Sequence, residues 1–185
     1  VLDMGQNLAG FPEITVRGRK GQKITLLVSE SLSDEGACNQ RQTGRQHYYE
    51  YTLKGEGVET WHPRFSYYGF RYIQVEGAVL KGQKNTLHLP VIQKIQSCFV
   101  YNSAPKVSTF QCSNRIFNEA HRLIEKAVRS NMQSVFTDCP HREKLGWLEQ
   151  DHLCGPGLLY NYDLTGFLPQ TLQNIADAQH ANGAV

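Results

Sequence analysis

Apolar and polar positions alternate in short runs through the first half of the chain and recur at helical spacing in the second. From about residue 14 to residue 101, glycine-punctuated segments with period-two apolar positions predict strands, and no window holds a sustained helical period. Residues 14–17 lead through Gly18-Arg19-Lys20-Gly21 into a run where Ile24, Leu26 and Val28 alternate, a pattern that predicts a hairpin. The polar stretch 33–45 predicts a long exposed loop before a strand over 47–53. Residues 69–75 predict another strand, with Phe70, Tyr72, Ile73 and Val75 requiring an inward face, and residues 87–101 predict one or two more. Closely spaced short strands favour an antiparallel β-sandwich over a parallel sheet, which would need intervening helices.

The pattern changes near residues 102–105. Ser113 is placed to cap a helix in which Ile116, Phe117, Ala120, Leu123, Ile124, Ala127 and Val128 form a single apolar stripe. After Asp138-Cys139-Pro140, the residues Leu145, Leu148 and Leu153 predict a second, shorter helix that ends before Gly155-Pro156-Gly157. A third, from around Asp163, carries Phe167, Leu172, Ile175 and Ala176, with Pro169 in its opening turns or as a kink. The expected organisation is a β-sandwich domain over residues 1–104 and a helical domain over residues 105–185. The three stripes need more partners than the chain supplies, so the expectation is a fragment: the end of a β domain and the opening of a larger helical one.

Composition narrows the function classes. Among 185 residues, 19 Lys and Arg face 17 Asp and Glu, a formal net charge of +2, and 40% are hydrophobic. That balance argues against a nucleic-acid reader resting on bulk positive charge and against a disordered chain. No apolar run approaches the roughly 18–20 residues that cross a bilayer, so neither nucleic acid nor membrane is an expected partner. Five cysteines without CxxC spacing argue against a disulfide framework and leave the compartment open.

Reactive side chains concentrate in residues 138–152, DCPHREKLGWLEQDH, which hold four carboxylates, two histidines, an arginine and a tryptophan. Sugar hydrolysis uses such a set: carboxylates for proton transfer and hydroxyl contacts, a guanidinium fork, and an indole face against a pyranose. A polar loop between helices, with Trp147 in the core, accounts for the same composition equally well.

The run DCPHREKLGW resembles the DCPxRExLGW motif of the family 78 glycoside hydrolases, the α-L-rhamnosidases. DMGQNLAGF at residues 3–11 and FSYYGFRYIQVEG at residues 65–77 resemble the family's β-sandwich, and residues 110–113 resemble the start of its (α/α)6 barrel. The resemblance covers essentially the whole chain. It implies inverting hydrolysis of terminal α-L-rhamnosides, with Glu143 as general acid, Asp138 and Arg142 contacting rhamnose hydroxyls, and Trp147 at the sugar subsite. It implies no cofactor. The expected partners are a rhamnose-containing glycan or glycoside and the rest of the parent chain, and many relatives are periplasmic or secreted. An inverting site needs a second carboxylate about 6.5–9.5 Å from the first. In the family that base comes from later in the barrel, so this chain alone is expected to be inactive. Many members carry an aspartate three residues beyond the tryptophan. Gln150 stands there in this chain, so the contact falls to Glu149, to Asp151 or to the amide itself.

A general acid must be protonated before it acts, and flanking cations oppose that. The expectation is therefore that Arg142 turns to substrate or Asp138, and Lys144 to solvent. Two other readings stand beside this one. Cys139, His141, His152 and Cys154 supply the right number of donors for zinc, at spacings that match no common zinc module. Trp61, Tyr67, Tyr68 and Tyr72 could form the platform of a non-catalytic carbohydrate-binding β-sandwich module, though aromatics in strands commonly pack a core.

Overall fold

The computed structural model describes all residues, 1–185. Seven strands precede three helices: β1 (Leu2–Arg17), β2 (Lys23–Ser29), β3 (Tyr48–Thr52), β4 (Val58–Trp61), β5 (Tyr68–Glu76), β6 (Val79–Leu80), β7 (Val91–Phe99), α1 (Arg115–Asn131), α2 (Leu148–Asn161) and α3 (Phe167–Ala178). The strands form one sheet in the order β3-β2-β5-β1-β7-β6, with β4 also paired to β1. Every pairing is antiparallel except β6 with β7.

The long strand β1 organises this sheet. Its first part pairs with β5, its last four residues pair with β4, and residues 10–17 pair with β7. Ile14 and Val16 of β1, Ile24, Leu26 and Val28 of β2, Phe70 and Ile73 of β5 and Ile92 of β7 share one buried cluster. A register shift between Asp3 and Leu8 breaks the alternation, which hides the beginning of β1 from a period-two reading. The hairpin expected between residues 14–17 and β2 does not form: β5 lies between β1 and β2, and β2 turns back on β3 instead. Gly21 N–H donates to Leu53 O and Leu53 N–H to Gln22 O, which closes β2 against the end of β3.

Glu59 of β4 secures the β3–β4 connection. Its carboxylate accepts from Tyr51 Oη (2.5 Å), Lys54 N–H (2.9 Å) and Gly55 N–H (2.8 Å). The Tyr51 hydrogen bond, chiefly, holds the Glu59 carboxyl below the usual carboxylate range. Burial, chiefly, together with the same bond, pushes the Tyr51 phenol up to about 12. Because the folded carboxyl titrates lower than the unfolded one, its contribution is complete above about pH 4.3 and fades as pH falls through the folded value. Urea melts of Glu59→Gln should show a loss of about 1–3 kcal/mol at pH 7. The gap from the parent should narrow at pH 3; a gap that widens with acid contradicts the assignment.

In the helical part, Met132, Phe136, Leu158, Tyr162, Leu164 and Phe167 form a second buried cluster. Asn114, one residue beyond the expected Ser113, caps α1: its Oδ1 accepts from Ile116 N–H at 2.9 Å. α2 does not stop before Gly155-Pro156-Gly157 but carries Pro156 inside it. The proline forfeits one backbone bond, and the turn beyond it is kept by buried Leu158 and by Tyr162 N–H donating to Leu158 O. Pro169 falls in the first turn of α3. The α1 stripe residues Ile116, Phe117, Leu123 and Ile124 are exposed. No helix is long and apolar enough to cross a membrane.

Candidate active site

The chain divides into two compact units, and the division runs through the reactive segment. Val1–Val100 and Cys139–Glu143 form the β unit; Tyr101–Asp138 and Lys144–Val185 form the helical unit. Within the helical unit, Asp138 N–H donates to Leu145 O and Leu145 N–H donates back to Asp138 Oδ1, both at 3.0 Å. These bonds close the neck of a loop whose interior residues belong to the β unit. Lys144 occupies the left-handed region at φ 56°, where a side chain costs roughly 1–2 kcal/mol.

Inside the β unit, Cys139–Glu143 is a tight turn in which Glu143 N–H donates to Cys139 Sγ at 3.2 Å. Arg142 Nη2 donates to Glu143 Oε1 at 2.7 Å, with the Glu143 side chain 32% exposed. The two side chains, adjacent on the turn, pair with each other, a contact that the sequence pattern did not suggest. The Arg142 stem lies over Gly44 of the long loop after β2. Burial first, and then Cys139, pushes the Tyr67 phenol up.

Three strands meet beneath the turn. Glu30, just past β2, accepts from Asn7 Nδ2 of β1 at 2.8 Å through Oε1. Its Oε2 lies 3.2 Å from His141 Nδ1, an ion-pair distance whose angle is off a straight hydrogen bond. Gly69 of β5 supplies the floor: a Cβ there would stand 2.7 Å from Pro140 Cγ and 3.1 Å from His141 Cβ. Asn7 and Gly69 lie in the two segments that resemble the family's sandwich. Those segments are themselves paired, Ala9 opposite Gly69 and Asp3 opposite Tyr72. The bidentate pair between Arg71 and Asp3 adds to that pairing and holds the Asp3 carboxyl down to about 2.

The other predicted residues lie in the helical unit. Asp138 shares a cavity of about 240 Å³ with Gln150, Thr137 and Asn131. Gln150, rather than Glu149 or Asp151, therefore keeps company with Asp138. Trp147 and Asp151 line a second cavity of about 320 Å³ together with Phe136, Thr171 and Asn174. Trp147 is exposed rather than packed into the core. Asp151 Oδ1 is buried without a hydrogen-bond partner, and burial pushes its carboxyl up. Glu149 lies exposed in the first turn of α2.

No three His, Cys, Asp or Glu groups converge as metal ligands, and the four donors of the zinc reading are divided between the two units. Of the proposed sugar platform, Trp61 and Tyr68 do share a cleft of about 670 Å³, with Tyr48, Tyr49, His62 and Arg64; Tyr67 and Tyr72 are not part of it.

Residues 1–101 match the bacterial alpha-L-rhamnosidase concanavalin-like domain, and residues 105–185 match the bacterial alpha-L-rhamnosidase 6 hairpin glycosidase domain. The chain belongs to the bacterial α-L-rhamnosidase family. An alpha-L-rhamnosidase of Formosa agariphila is 33% identical over 95% of the chain, and one of Streptomyces avermitilis is 34% identical over all of it. Among solved α-L-rhamnosidase structures, one from Dictyoglumus thermophilum superposes with a TM-score of 0.83 at 33% identity over 97% of the chain. The Streptomyces avermitilis enzyme complexed with L-rhamnose superposes with a TM-score of 0.81 at 33% identity, also over 97%. The chain spans only 17–20% of the length of these rhamnosidases.

The resemblance segments named Asp138, Arg142, Glu143 and Trp147, but not Glu30 or Gly44. Glu30 lies next to a strand end with no motif around it, and only the fold brings it to His141.

Proposed function

We propose that this chain is part of an inverting α-L-rhamnosidase in which Glu143 protonates the glycosidic oxygen of a terminal α-L-rhamnoside. The observation that carries the reading is the turn itself: Glu143 sits partly exposed on a short segment fixed to the β unit, with Arg142 beside it. Arg142, whose Nη2 stands 2.7 Å from Glu143 Oε1 in the free chain, exchanges that partner for sugar hydroxyls when substrate binds. That exchange both orients the sugar and leaves Glu143 free to carry its proton. Asp138, Gln150 and Trp147 of the helical unit have the roles of hydroxyl contacts and of an apolar face for the sugar. A second carboxylate, outside these 185 residues, activates water on the opposite face of the ring. No cofactor is needed, since the reaction is proton transfer and water attack.

The full-length enzyme should hydrolyse an aryl α-L-rhamnoside, with β-L-rhamnose as the first product in a proton NMR time course, while the 185-residue chain alone should not turn over. First-formed α-L-rhamnose would refute inversion, and turnover by the chain alone would refute an external base. The cleft around Trp61, Tyr48 and Tyr68 favours a second reading, a carbohydrate-binding β module. That reading takes over if the full-length protein binds rhamnosides without cleaving them.

A further inference from the structure

The β unit contributes more than a scaffold to the proposed reaction. Its strands form a seat for Cys139–Glu143, and each part of that seat can be named. Gly69 presents bare backbone, so that Pro140 lies in van der Waals contact with β5 where any side chain would lift it. Glu30 bridges two directions: one carboxylate oxygen is held by Asn7 of β1, and the other faces the imidazole of His141, two residues before Glu143. The seat is rigid underneath, because Gly69 pairs with Ala9 in the sheet. Glu30 and the His141 ring are both mostly covered, so a water-filled gap does not separate them.

We propose that Glu30 and Gly69 are positioning residues for the general acid: through His141 and Pro140 they fix the turn that presents Glu143 to the glycosidic oxygen. This inference rests on the acid role of Glu143 proposed above. Neither residue touches substrate. Each acts by restricting where the Glu143 carboxyl can stand, and displacement of a catalytic group by about 1 Å costs on the order of 10²-fold.

The test uses the full-length enzyme and two substrates, an unactivated rhamnosyl disaccharide and 2,4-dinitrophenyl α-L-rhamnoside, whose leaving group needs no proton. Glu30→Ala should lower kcat on the disaccharide by about 10–10²-fold, with KM changed less than about twofold and a much smaller loss on the activated substrate. Glu30→Gln keeps an acceptor for Asn7 and an amide facing His141, and should recover most of the rate. His141→Ala, at a partly exposed position, repeats the kinetic signature should Glu30→Ala or Gly69→Ala fail to fold. Retention of the disaccharide rate by folded Glu30→Ala and His141→Ala, equal losses on both substrates, or no recovery in Glu30→Gln overturns the proposal. Glu143→Gln, run alongside, separates the two claims. If it lacks the leaving-group split, the acid assignment itself falls; if it shows the split and the seat variants do not, only the seat does.

Discussion

Glu143→Gln in the full-length enzyme is expected to reduce kcat on an unactivated α-L-rhamnoside by about 10²–10⁴-fold while costing a dinitrophenyl rhamnoside about tenfold or less. The amide keeps the shape of the side chain and a hydrogen bond to Arg142, but has no proton to give. Departure of a sugar alkoxide depends on that proton; departure of a dinitrophenolate does not. KM should stay near the parent value, because the substitution removes an interaction made as the bond breaks rather than one made on binding. Glu143 lies on an exposed turn outside both buried clusters, so thermal unfolding should be unchanged. Equal losses on both substrates would move Glu143 from proton donor to binding group.

The second large effect is on stability. Gly10 of β1 is opposite Phe99 of β7, and a Cβ added there would fall 2.0 Å from the Cys98 carbonyl oxygen and 2.8 Å from Leu8 Cδ1. A flexible side-chain tip can swing away from such a clash; a carbonyl inside a ladder cannot without breaking it. β1·β7 is the ladder along which Ile14 and Val16 reach the core, and Val100 N–H still donates to Ala9 O beyond it. Gly10→Ala should therefore cost about 3 kcal/mol or more. The check is a urea denaturation midpoint against Gly36→Ala: Gly36 lies in open space at positive φ, so only backbone strain of roughly 1–2 kcal/mol is expected there. Comparable losses in the two variants would contradict the close approach.

These outcomes mark what local pattern carried and what it did not. Short apolar runs bounded by turn residues located β2, β3, β5 and β7, because each sends side chains into one buried cluster. Pairing was another matter: Gly18 to Gly21 has turn chemistry, but the edge of β2 is claimed by β5, whose contacts are set by residues more than forty positions away. β4 is four residues long and escaped notice, although Glu59 on it gathers three donors. The Gly-Pro-Gly in α2 looked like a stop, yet burial of Leu158 and Tyr162 outweighs one missing backbone bond. At the site, the resemblance to the family motif named Glu143, Arg142, Asp138 and Trp147 as candidates. The partner of His141 was not legible, since an isolated glutamate after a strand carries no mark of the turn that the fold brings to it.

The placement of Cys139–Glu143 with the β unit bears on how such enzymes can be rearranged. A recombination or splitting point at the junction near residue 100 looks natural from the chain's two-part layout, yet it would separate the five-residue turn from Gly69, Glu30 and Asn7. A hybrid that grafts the helical half of one relative onto the strands of another sets the turn that carries Glu143 on strands shaped for a different turn. Exchange of parts at that junction therefore has to preserve the fit between turn and strands, which it does when residues 139–143 travel with the strands that hold them.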